Sequence, residues 1–190
     1  MGKIYTALGL MSGTSMDGVD ASIIKSDGDR EYSIEIDEYF EYGDELRLRL
    51  INMREKVLVV GDLNTHFDEI KSLEREITLF HANAVNKILE TSKIEIDLVG
   101  FHGQTIFHDP EIKITKQLGD GNMLSQITKK SVVYDFRQND LRNDGHGAPL
   151  APIYHNLLVK TFKEKGIIKL PIIILNIGGI ANITSINENY

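Results

Sequence analysis

The chain has 190 residues and no cysteine, which excludes a disulfide framework and a thiolate metal site. That length holds one ordinary domain or two small ones, but not two full ones. A net charge of −7 argues against a polyanionic partner such as nucleic acid or an acidic membrane surface, so an anionic ligand must be held by local donors.

The opening "MGKIYTALGLM" lacks the pattern of a cleaved secretory signal, and no apolar run approaches the ~20 residues of a membrane span. A cysteine-free chain suits a reducing, cytoplasmic compartment. Residues 4–10 and 19–25 read as strands on either side of a polar loop. "YSIEIDEYFEY" (Tyr32–Tyr42) alternates apolar and acidic residues, as a half-buried third strand does. The short connections predict an antiparallel meander. A helix is expected over Asp44–Val57. The clearest helix runs from Asn64 to Glu90, where Leu63, Phe67, Ile70, Leu73, Ile77, Phe80, Ala84 and Ile88 recur at three- and four-residue steps. Asn64 or Thr65 is its expected cap. "IDLVGFHG" (Ile96–Gly103) reads as a short buried strand, "MLSQITKK" as a helix, "SVVYDF" as a strand and His155–Phe162 as a helix. "LPIIILNIGGIANITSI" (Leu170–Ile186) predicts two strands about a glycine turn. The order βββαβαβα is an α/β pattern. The first and last strand–glycine loop–strand units echo each other, as the openings of two related halves would.

Four segments carry candidate chemistry. In Gly13-Thr14-Ser15-Met16-Asp17-Gly18-Val19-Asp20, glycines let backbone N–H groups approach an anion and hydroxyls add donors. A Walker loop needs a lysine and a following helix; here there is no such lysine, and a strand follows. A hairpin-type phosphate loop therefore fits better, with Asp17 or Asp20 as a Mg2+ contact; an ordinary turn is the alternative. In "GFHGQTIFHDP", His102 and Gln104 stand at the end of a strand, where α/β sheets hold ligands. His108 with Asp109 is a metal pair or a hydrogen-bonded loop. "YDFRQNDLRNDGHGAPLAP" gathers Asp135, Arg137, Asp140, Arg142, Asp144 and His146. An arginine there can clamp a carboxylate or phosphate, and a carboxylate can accept a hydroxyl proton. A solvated, ion-paired loop is the alternative. Gly178-Gly179 forms a second phosphate loop or a tight hairpin.

Together these segments resemble the anhydro-N-acetylmuramic acid kinases of the sugar-kinase and actin superfamily. The family pattern G-L-M-S-G-T-S-x-D-G-x-D matches Gly9–Asp20, H-G-Q-T matches His102–Thr105, D-F-R-x-x-D matches Asp135–Asp140, G-x-G-A-P-L matches Gly145–Leu150 and L-N-I-G-G-x-x-N matches Leu175–Asn182. The resemblance implies a ribonuclease H-like, actin-like ATPase domain over residues 1–170, then the first hairpin of a second similar domain over 171–190. It implies transfer of phosphate from ATP, with Mg2+, to 1,6-anhydro-N-acetylmuramic acid while water opens the anhydro ring, in recycling of peptidoglycan sugars. Gly13–Asp20 would bind ATP and Asp17 Mg2+; His102, Gln104, Arg137 and Asp140 would line the sugar side. His146 stands where the family commonly has glutamine. The family's aspartate base lies in a G-F-D-x-G-P-x-N segment beyond Tyr190. The chain is thus expected to be an N-terminal portion, inactive alone, with a homodimer or the missing C-terminal half as candidate partner; another sugar kinase of the same superfamily, or a non-catalytic remnant, is the alternative.

Overall fold

The computed structural model describes residues 2–177 and 180–188. Strand β1 (Tyr5–Met11) turns through a polar loop into β2 (Gly18–Ser26), which turns into β3 (Tyr32–Glu41). This meander is antiparallel, with Leu8 opposite Ile23 and Leu10 opposite Ala21. Directly paired residues point to the same side of a sheet, so the buried Leu8, Leu10, Ala21 and Ile23 form one apolar face with Val19. Helix α1 (Asp44–Lys56) contributes Leu46, Leu50 and Met53 to the core on that face. A single turn, α2 (Asp62–Thr65), leads into the long α3 (Phe67–Ser92), which adds Ile70, Leu73, Ile77, Val85 and Ile88.

Strand β4 (Leu98–Phe101) then lies parallel to β1. A separate hairpin of β5 (Gln104–Asp109) and β6 (Ile114–Leu118) follows, then α4 (Gly121–Thr128) and β7 (Ser131–Tyr134), which lies parallel to β4. The main sheet has the order β3-β2-β1-β4-β7. Because β1, β4 and β7 run the same way, their carboxyl ends share one edge. Helices α5 (Phe136–Arg142) and α6 (Pro152–Glu164) come next. Strands β8 (Ile172–Asn176) and β9 (Asn182–Ile186) pair with each other, outside the main sheet. Helix α6 touches β9 and the β2–β3 turn: His155 Nδ1 lies 2.7 Å from Thr184 Oγ1, and Thr161 Oγ1 donates to Arg30 O at 3.4 Å. Among the described residues, no helix is long and apolar enough to cross a membrane.

The observed element order corrects the βββαβαβα reading in three places. The segment after His102 is a β-hairpin and not a loop. Its strand β5 buries Gln104, Ile106 and Phe107 across a register shift between Thr105 and Phe107, so simple alternation does not reveal it. The polar run after Asp135 forms α5, on which only Leu141 is buried. The long helix starts at Phe67, and neither Asn64 nor Thr65 caps it; both belong to α2. Asp62 instead accepts the Leu58 and Val59 N–H groups at 2.9 Å each.

The β5–β6 hairpin is tied to α3 by charge. Glu74, nearly buried, accepts Lys116 Nζ at 2.5 Å and Lys71 Nζ at 2.7 Å. Burial pushes the Glu74 carboxyl up, but the Lys116 and Lys71 hydrogen bonds outweigh it and hold it below its usual value. Breaking a desolvated pair leaves a charge uncompensated, whereas an exposed pair such as Lys56–Glu69 is worth little. Glu74→Gln is therefore expected to cost about 2 kcal/mol in urea unfolding, and Glu69→Gln under ~1 kcal/mol.

Candidate active site

The loop between β1 and β2 is anchored in the core at its first residue. Ser12 is buried, with its Oγ 2.9 Å from the Tyr42 hydroxyl and 3.1 Å from His81 Nε2. His81 Nδ1 lies 2.8 Å from the Ile77 carbonyl, so Nδ1 carries the proton and Nε2 accepts from Ser12. The Tyr42 hydroxyl then donates to Ser12. Burial holds the His81 imidazole down at about 4, so it stays neutral. Further along, Met16 N–H donates to Gly13 O at 3.3 Å, closing a tight turn, and Tyr42 N–H donates to Asp17 O at 2.8 Å. Met16 has left-handed backbone, φ 55°, and a fully buried side chain.

The outer part of the loop is open. Thr14 and Ser15 are exposed, and their backbone N–H groups donate to no protein acceptor among the described residues. Ser15 Oγ donates to Asp17 Oδ1 at 2.6 Å; that hydrogen bond, with Arg47 adding a smaller pull, holds the Asp17 carboxyl below its usual value. Gly18 packs so closely that a Cβ there would meet Phe40 O at 2.4 Å. Val19 is a core residue, and Asp20 sits in β2 opposite Met11.

The ends of β4 and β7 complete the edge. Gln104 is fully buried, and its Nε2 donates to Gly13 O at 2.9 Å. Its Oε1 is buried without a partner. Leaving such an acceptor unpaired costs about 1–3 kcal/mol, so the contact with Gly13 is kept at some expense. Gly103, at φ 72°, precedes it; a Cβ there would meet Leu118 O at 2.4 Å, so only glycine lets the chain turn from β4 into the hairpin. His102 Nδ1 donates to Gly103 O at 2.7 Å, and its Nε2 accepts Arg137 Nε–H at 2.9 Å. Burial first, and the Arg137 charge second, hold His102 down at about 4. Arg137 Nη1 donates to Gly147 O at 3.2 Å. This half-buried guanidinium has no carboxylate within salt-bridge distance among the described residues. Asp140 Oδ2 accepts Gly147 N–H at 2.7 Å, which folds the 143–147 loop back onto α5.

Two cavities adjoin this edge. One of about 230 Å³ lies beside His102, lined also by Lys116, Gln117, Tyr134 and Asp135. A larger one of about 1030 Å³ is mostly apolar; it lies against β1, β2, β4 and β7 and is flanked by α5 and α6. The smaller cavity is bordered by His102, the hydrogen-bond partner of Arg137, whereas Asp140 lines the larger one. His108 and Asp109 do not form a metal site with other residues: His108 Nδ1 lies 3.1 Å from Thr115 Oγ1, and no group of three or more His, Asp or Glu suited to a metal occurs among the described residues. Gly178 and Gly179 lie outside the described residues. Sequence reasoning overlooked Ser12, His81 and Arg54. Arg54, on α1, donates Nη1–H to Thr14 O at 2.9 Å. It sits 40 positions from its partner, so no local pattern announces it.

The family model described as anhydro-N-acetylmuramic acid kinase matches residues 5–190. Among curated relatives, an anhydro-N-acetylmuramic acid kinase of Pelagibacter ubique is 56% identical over 184 residues, covering 97% of this chain and 48% of the relative. That of Rhizobium etli is 43% identical over 194 residues, covering 100% of this chain and 51% of the relative. That of Agrobacterium fabrum is 39% identical over 191 residues, covering 99% and 51%. The chain spans about half the length of the curated relatives it matches.

The two neutral histidines make stability depend on pH. In the unfolded chain each takes up a proton near ~6.5, but in the fold neither does until about 4. Between those values the unfolded state binds more protons, so stability falls as pH falls, by on the order of 3 kcal/mol per histidine. Urea unfolding at about pH 7 and about pH 5 should show about 2 kcal/mol of that loss per histidine, the rest following as pH falls to about 4. His102→Gln, which keeps an acceptor for Arg137, should remove about half of it.

Proposed function

The chain belongs to the anhydro-N-acetylmuramic acid kinase family, and we propose that its 12–18 loop binds the phosphates of ATP while the ends of β4 and β7 bind 1,6-anhydro-N-acetylmuramic acid. In this reaction water adds at the anomeric carbon as the 1,6 bridge opens, the freed 6-oxygen takes the γ-phosphoryl group, and ADP leaves. The fold reading that goes with it is the actin-like ATPase domain, with phosphates held by a hairpin loop. The open N–H groups of Thr14 and Ser15 suit phosphate oxygens, in a region flanked by glycines that allow close approach. Asp17, ionised well below neutral pH, is suited to Mg2+, which would screen phosphate charge there. Gly13 to Gly18 form the nucleotide side; Val19 and Asp20 support it from β2.

Arg137 carries the sugar-side reading. A half-buried cation with no carboxylate partner among the described residues calls for an anion, and a muramic acid derivative brings a carboxylate. Neutral His102 fixes the guanidinium plane by accepting its Nε–H, and Asp140 holds the adjoining loop. Gln104 joins the two sides through Gly13. Most of this role is positioning, which supplies much of the rate in phosphoryl transfer. No carboxylate among the described residues is assigned as proton acceptor.

We further infer that β8 and β9 open a second unit, and that their outer face packs against the part of the family's length this chain does not span. Ile173, Leu175 and Ile183 share one face and are each more than half exposed. Such a face beside unpaired strand edges promotes association.

Calorimetric titration of 1,6-anhydro-N-acetylmuramic acid and its methyl ester tests the Arg137 assignment. Arg137→Met should weaken binding of the acid about tenfold or more, and the ester should lose as much with the wild type and little more with the variant. An ester that binds as tightly as the acid would overturn the assignment. For the hairpin, size-exclusion chromatography with light scattering should show self-association that Ile173→Lys with Ile183→Lys abolishes; a concentrated wild-type monomer would refute the exposed-face reading.

A further inference from the structure

Two carbonyl oxygens of the β1–β2 loop are held by side chains from elsewhere in the fold. Gln104, at the start of β5, donates to Gly13 O at 2.9 Å, and Arg54, near the end of α1, donates to Thr14 O at 2.9 Å. The donors come from segments 91 and 40 positions away. They grip two successive peptide groups, Gly13–Thr14 and Thr14–Ser15, neither of which is cis. In a trans peptide the N–H points opposite to the C=O. Fixing the Gly13 carbonyl toward Gln104 therefore turns the Thr14 N–H away from Gln104, and fixing the Thr14 carbonyl toward Arg54 turns the Ser15 N–H away from Arg54. These are the two N–H groups of the loop's exposed part that find no protein acceptor among the described residues.

We propose that Arg54 and Gln104 are positioning residues that aim the Thr14 and Ser15 N–H groups at a polyphosphate. This rests on the reading of the loop as the phosphate site. Neither residue needs to touch the ligand. Arg54 reports from the outer helix α1, while Gln104 reports from the segment that also carries His102. The β4–β5 turn, on the sugar side, thereby bears directly on the geometry of the phosphate side. Preorganised backbone donors hold an anion tightly because they need no reorientation when it arrives. Thr14 and Ser15 are the central residues of a turn closed by Met16 N–H and Gly13 O, so without Arg54 the Thr14–Ser15 peptide plane would be free to flip, while Gln104 adds a second donor to the Gly13 carbonyl that Met16 N–H already holds.

The test is nuclear magnetic resonance of the 190-residue chain, titrated with inorganic tripolyphosphate and, as control, adenosine. In the wild type, tripolyphosphate should shift the Thr14 and Ser15 amide signals and adenosine should not. Residual dipolar couplings read the N–H directions without ligand. Arg54→Met should change the Ser15 coupling, and Gln104→Met the Thr14 coupling, with couplings in β2 and α3 unchanged. Each variant should bind tripolyphosphate about tenfold more weakly, and Arg54→Lys, which can still donate to Thr14 O, should restore most of it. No amide shift at Thr14 or Ser15 in the wild type would overturn the phosphate reading and this proposal with it. Wild-type shifts with unchanged couplings, or unchanged affinity, in Arg54→Met and Gln104→Met would overturn the proposal alone.

Discussion

Parallel pairing of β1, β4 and β7 is the constraint from which the arrangement of polar residues follows. Strands that run the same way release their chains at the same edge, so three segments far apart in the sequence meet there: 12–17, 102–104 and 135–137. The pairing is registered residue by residue, with Gly9 beside Gly100 and Gly100 beside Val133. A slip of one residue would turn Leu8, Leu10, Val99 and Phe101 out of the core. The apolar face beneath α1 and α3 thus sets the register, and the register sets which polar groups meet.

Those polar groups are held by a buried network that runs into the core. Ser12, Tyr42 and His81 satisfy one another where burial would otherwise be costly. His81 also packs edge-on to Phe101 at 4.9 Å between ring centroids, so the anchor of the first loop rests on the strand that leads to the second. His102 and Arg137 repeat the logic nearer the surface, with a neutral imidazole accepting from a cation. In both places histidine serves as a hydrogen-bonding group that declines a proton, because desolvation makes the charged form expensive.

Much of the fold is legible in the residues because its signals are local and periodic. The three opening strands follow from alternation, and α3 from apolar residues at helical spacing. The polar segments were visible as clusters, since Gly, Ser, Thr and Asp seldom gather between two apolar runs without a turn or a site. What stayed hidden depends on distant neighbours. Gln104 stands out by its place beside His102, but that its Nε2 holds the Gly13 carbonyl 91 positions away is not readable from any local pattern. Helix α5 looks like a loop because only Leu141 of its seven residues is buried. His81 falls on the apolar stripe of α3 and reads as a filler until its partner, 69 positions away, is known.

Met16 is pulled two ways. Its backbone lies where glycine is at ease and other L-residues lose roughly 1 kcal/mol or more, while its side chain fills space that glycine would leave empty. A β-branched residue of similar bulk would fill the space but crowd the left-handed backbone. A polar residue tolerant of that backbone, such as asparagine, would bury an unmatched amide. An unbranched, flexible, apolar side chain meets both demands, so the repertoire of residues this position can sample is narrow. Drift in the loop is therefore directed to its solvent side, at Thr14 and Ser15, where chemistry alone decides which substitutions survive.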